Sequence, residues 1–89
     1  MLALARGQYD AARAYVEPLY QREPSNEPAR QLLGDAYLGL GRLDDAYALW
    51  SRVGNAEIKL HLEADIRYRD DPARAAWTLQ LADRIRAGR

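Results

Sequence analysis

The sequence predicts an all-α fold built from antiparallel helical hairpins, and three observations carry the prediction. Apolar residues recur at helical spacing along most of the 89 residues, the pattern of helices with one buried face. Cap and stop residues interrupt that pattern so often that every connection is short, which forces neighbouring helices antiparallel and leaves no room for a crossover or a sheet. Alanine, leucine and arginine are abundant, phenylalanine is absent and β-branched residues are few, the composition of stacked helices.

Taken in order, a helical end precedes Gly7 and a helix follows over 8–23. Pro18 sits inside it, deletes the bond to residue 14 and crowds that carbonyl, so a kink is expected there. Ser25 and Asn26 supply a cap, and Glu27 and Pro28 the first turn, of a helix over 27–40. A helix over 42–53 follows, with Asp44 and Asp45 at its start. Gly54 and Asn55 end it and cap the next helix, over 56–69. Asp71 before Pro72 opens the last, over 72–87. At its end Arg84, Arg86 and Arg89 complement the helix dipole, worth roughly 0.3 to 1 kcal/mol each.

Length allows one small domain, 1–89, burying somewhat more than about 60% of its unfolded surface. Thirteen acidic and thirteen basic residues balance, so no strong field draws in nucleic acid or an anionic membrane. The absence of cysteine removes disulfides and thiolate chemistry. Neither a signal peptide nor a run of about 18 apolar residues is present. The expectation is a soluble chain of the cytoplasm or bacterial periplasm, without membrane insertion or nucleic-acid binding.

Catalytic patterns are weak. The pairs Asp44–Asp45 and Asp70–Asp71 sit at helix starts, where carboxylates cap amides and complement the dipole. His61 shares a helix face with Glu57 and Asp65, a trio that a solvated surface explains as well as a metal does. The sequence has no serine nucleophile arrangement, phosphate-binding loop or H-E-x-x-H motif. No enzyme activity, cofactor or metal is expected.

The chain repeats itself. At a shift of 34 residues Gly7 falls on Gly41, Asp10 on Asp44, Ala12 on Ala46, Ala14 on Ala48, Val16 on Trp50 and Leu19 on Val53. A helical period of this length marks a solenoid of helix-turn-helix units. The residues at fixed places are Leu33, Gly34 and Tyr37, then Ala46 and Trp50, with Ala12, Val16 and Pro24 closing the unit before. In these spacings the chain resembles the tetratricopeptide repeat family. The resemblance implies a right-handed α-solenoid of about two and a half units: a partial repeat over 1–24, a full one over 25–54 and a degenerate one over 55–89. Arg30 stands where the family favours tryptophan, and Ile58 where a closing proline would fall. The third unit aligns only at a shift of 29, with Leu62, Ile66, Ala75 and Leu79 for Leu33, Tyr37, Ala46 and Trp50. The second helix of the middle unit is therefore expected to be short.

Glycine within the 27–40 helix needs a reason, since each costs roughly 1 kcal/mol against alanine. Gly34 and Ala46 are expected where two helices cross at close range, Tyr37 and Trp50 between units, and Gly41 at a helix end with positive φ. Tyr9, Tyr15, Val16, Leu19 and Tyr20 at one end, and Trp77, Leu81 and Ile85 at the other, are expected to face a further repeat, a partner or a second copy.

By the resemblance, the first helices of successive units line a groove for a peptide. That places Pro28, Gln31, Asp35, Leu38 and Arg42 in it, with Leu60, Ala64, Arg67 and Tyr68 from the third unit. Family members that clamp a terminal carboxylate use lysines and asparagines there, and Asp35 would repel such a ligand. The sequence thus points to a protein-interaction module, part of a larger bacterial scaffold or assembly factor. The alternative is a structural unit that forms a homo-oligomer through its incomplete ends.

Overall fold

The computed structural model describes residues 6–88; Arg89 and the segment before Arg6 lie outside the described residues. The first helix, α1 (Arg6–Arg22), runs through Gly7 and through an exposed Pro18. Next, α2 (Glu27–Gly39) is capped by Asn26, whose side-chain oxygen accepts from Ala29 N at 3.1 Å. Asn26, rather than Ser25, thus satisfies one of the orphan amides of the first turn. At the other end, Arg42 N donates to Tyr37 O at 2.9 Å and Gly41 N to Leu38 O at 3.1 Å, closing a Schellman turn around Gly41 at φ 77°.

The third helix, α3 (Leu43–Trp50), has 8 residues against 13 in α2, the shortening that the compressed repeat spacing predicts. Asn55, rather than Gly54, takes the left-handed conformation before the next helix, at φ 55°, and its side chain makes no cap bond. Asparagine tolerates this region better than most side chains. The helix expected over 56–69 is divided: α4 (Ala56–Leu62) passes into a π-helical segment, Glu63–Arg67, which Tyr68 N closes by donating to Glu63 O at 2.9 Å. The last helix, α5 (Pro72–Ala87), is capped by Asp71, which accepts from Arg74 N at 3.2 Å. No strand occurs among the described residues.

Helices α1, α2 and α3 pack in sequence, and α4 with the π-helical segment packs on α5, which also reaches α3 and α2. The molecule measures 32 × 32 × 19 Å, about two helix diameters thick. Its main core joins Leu38, Ala46, Trp50, Val53, Ala56, Leu60, Leu81, Ala82 and Ile85; a smaller one joins Val16, Ala29 and Leu33, with Tyr37 and Leu49 against it.

The helix glycines are explained by aromatic rings. A methyl on Gly34 would stand 2.6 Å from Cδ1 and 2.8 Å from Nε1 of Trp50. Gly34 therefore makes room for the indole one turn beyond Ala46, and both Ala46 and Trp50 are fully buried. Gly39 does the same for Tyr9, whose ring occupies the place of a β-carbon.

Both ends are more closed than the sequence suggests. Leu81 and Ile85 are buried in the main core because α5 folds back on α3. Val16 is buried against α2, and Tyr9 is buried beneath α5. Tyr15 and Trp77 remain exposed.

Candidate interaction surface

On α2, successive turns place Gln31, Asp35 and Leu38 on one face, the face the sequence assigns to a ligand. Asp35 is buried there. Its Oδ1 accepts from the Trp50 indole N–H at 3.2 Å, and its Oδ2 faces Arg67 Nη1 of the π-helical segment at 3.4 Å. Burial holds the Asp35 carboxyl well above the usual carboxylate range, with the nearby Glu63 adding to the shift, and burial likewise raises Glu63.

Above Asp35 lies Arg74 of α5, only 2% exposed. Its Nε donates to Tyr9 Oη of α1 at 3.2 Å and its Nη1 to Thr78 Oγ1 at 3.1 Å. Its Nη2 donates to the Asp35 carbonyl at 2.8 Å and to Tyr68 Oη at 3.0 Å. The guanidinium also stacks 4.2 Å from the Tyr68 ring centre and 5.4 Å from that of Tyr9. A planar fork of five donors can tie four groups at once. Buried without a bidentate carboxylate, Arg74 is held by hydroxyls, a carbonyl and aromatic faces. Burial, with the Asp35 charge next, pushes the Tyr68 hydroxyl up to about 12.

This network occupies the face expected to hold a peptide. Leu38 and Leu60 are fully buried in the main core, and Asp35, Ala64 and Tyr68 are buried. These five cannot touch a ligand in this structure. Gln31 is half-buried, and Arg42 and Arg67 are exposed with Pro28. Arg42 is already engaged: its Nε pairs with Asp45 Oδ2 at 2.8 Å, and its guanidinium lies 4.6 Å from the Tyr37 ring centre.

The structure exchanges two stripes of α4 and the π-helical segment. Ala56, Leu60, Ala64 and Tyr68 face inward, whereas the alignment at a shift of 29 places Leu62 and Ile66 in the core. Instead Ile58, Leu62 and Ile66 form an outward stripe, 62%, 53% and 72% exposed. Ala75 and Leu79, the other core positions of that alignment, are only partly buried, while Arg74 and Thr78 take the inward places on α5. Ala56 and Leu60 of the inward stripe pack in the core that holds Trp50. Leu62 and Ile66 flank a shallow surface hollow with Glu63 and Arg67. Leu32 of α2 is also exposed.

The carboxylate pairs act as structure. Asp45 binds Arg42, and Asp44 binds Arg84 of α5 at 2.8 Å. Arg84 thus bridges two helices besides sitting at a helix end, and it also lies 4.4 Å from the Tyr47 ring centre. His61 is exposed, and no group of three potential metal ligands forms among the described residues.

The network of Tyr9, Arg74 and Thr78, and the outward stripe, were not legible in the sequence. Arg74 reads like any surface arginine. Gly39 is the one signal, a second helix glycine with no assigned neighbour. The helix pairs and their stacking define a helical-repeat protein. The chain belongs to the tetratricopeptide repeat family, whose model matches residues 3–57. No curated protein and no solved structure matches it. Tetratricopeptide repeats mediate protein–protein interactions, and no helix among the described residues is long and apolar enough to cross a membrane.

Proposed function

We propose that the chain is a non-catalytic protein-interaction module whose partner seats on the Ile58–Leu62–Ile66 stripe, with Gln31, Arg42 and Arg67 as polar contacts. One observation carries this reading: the bulkier apolar stripe of α4 and the π-helical segment faces outward. Fully covering a side chain of this size is worth about 1.5 to 3 kcal/mol, and association consumes part of that gain. Three such residues in line, one per turn, match a helix or an extended segment. The alanine- and arginine-rich composition fits a part of a larger bacterial scaffold or assembly factor.

The test compares wild-type chain with an Ile58→Asp/Ile66→Asp variant, both checked for fold by circular dichroism. Proteins retained from the source cell are identified by mass spectrometry, purified and titrated directly. Binding lost in the double variant and kept in Tyr15→Asp supports the proposal; binding equal in all three refutes it. Sedimentation covers the self-association alternative. A dimer abolished by the double variant makes a second copy the partner.

A further inference from the structure

Two acids meet inside this molecule, and one arginine of the π-helical segment pairs with the first of them. Asp35 of α2 is buried and spends one carboxyl oxygen on the Trp50 indole. Glu63, first residue of the π-helical segment, lies within hydrogen-bonding reach of it, and Glu63 Oε1 is enclosed with no hydrogen-bond partner. The charged groups facing the pair are Arg67 of the π-helical segment and Arg74 of α5, with the Tyr68 hydroxyl and, beyond Arg74, that of Tyr9. Arg67 pairs with Asp35 through a single long contact, and no side-chain hydrogen bond from Arg74 reaches either carboxylate. Arg74 gives its donors to the Asp35 carbonyl, Thr78 and two tyrosines, and exposed Arg67 reaches Asp35 only at 3.4 Å.

Two close carboxylates in a low-dielectric site do not both ionise readily, and one proton between them converts repulsion into a hydrogen bond. We propose that Asp35 and Glu63 share one proton as a latch between α2 and the π-helical segment, and that the latch loosens when the proton leaves. Leu62 and Ile66 adjoin Glu63 on either side in the outward stripe, so the loosening reaches the surface. The inference goes beyond the binding proposal and does not depend on it.

The sign follows from linkage. Burial raises both acids above their ordinary values, so the folded chain holds a proton that the unfolded chain has released. The stabilisation is complete below the ordinary carboxylate range, about pH 4, and is lost as pH rises through the raised values.

Trp50 reports on the latch directly, since its indole N–H donates to Asp35, while Trp77 on α5 is a built-in control. The indole resonances of the isotope-labelled full chain are followed by NMR from about pH 4 to about pH 9. The expected result is a sigmoidal shift for Trp50 and none for Trp77. Asp35→Asn abolishes it, and Glu63→Gln lowers its midpoint by roughly one unit or more. At the upper end, amide exchange over 63–68 in wild type exceeds that of Glu63→Gln at the same pH. A Trp50 resonance that does not titrate in this range, or a midpoint unmoved by Glu63→Gln, overturns the proposal.

Discussion

Arg74 shows how much a single side chain organises here. Its guanidinium supplies Tyr9, Asp35, Tyr68 and Thr78 from one buried position. Methionine would keep most of the stem but leave a buried carbonyl and three hydroxyls without their donor, and each such group costs about 1 to 3 kcal/mol. Arg74→Met is expected to destabilise the fold by about 2 kcal/mol or more, read as a lower urea midpoint. Arg74→Lys should recover little, because an ammonium cannot fork between Nε and Nη partners. Sequence reasoning could not single out this residue. An arginine on a helix is ordinarily solvated, and partners as distant in the chain as Tyr9, sixty-five residues earlier, and Asp35 give it a buried role.

At the scale of the element, helix existence was legible and helix facing was not always so. Caps, glycines and prolines marked the starts of α2 and α5 and the end of α2, because they act through local backbone bonds. The rotation of α4 depends on what it packs against. Two stripes of four-residue spacing, offset by two, one of Ile58, Leu62 and Ile66 and one of Ala56, Leu60, Ala64 and Tyr68, compete for the inside. Hydrophobicity favours the first, yet the second supplies Ala56 and Leu60 to the core around Trp50. The π-helical segment, which no sequence signal announced, then resets the register before Tyr68. This arrangement makes a differential prediction. Ala64→Leu overpacks the buried side and is expected to cost about 1 to 3 kcal/mol. Ile66→Gln, on the outward side, should stay within about 0.5 kcal/mol of wild type. Parallel urea titrations decide the matter: equal costs for the two would mean that the stripes are assigned the wrong way round.

Across the whole molecule, the candidate binding residues divide by depth. The family spacing assigned a face of α2 to a ligand, whereas α5 covers it, and a pattern based on one unit at a time carries no information about a later helix folding back. Only Gln31, Arg42 and Arg67 of the expected set remain accessible beside Pro28. The same covering makes α1 and α5 part of one body. Stacked repeats often unfold piecemeal, since each unit touches only its neighbours. Here the first and last helices are joined through a buried hub, so a single transition is expected, with far-ultraviolet circular dichroism and Trp50 fluorescence giving coincident urea curves. Separate midpoints would show that the end helices detach independently.

Tyr9 also has a bearing on the order of events during synthesis. Its ring can settle on Gly39 once the first hairpin exists, but its hydroxyl is matched only when the chain has been made as far as residue 74. Until then the nascent polypeptide carries on α1 an aromatic side chain that is incompletely housed. The closing step of folding therefore waits for α5, and a ribosome paused before α5 emerges would hold a chain whose α1 is still unsecured.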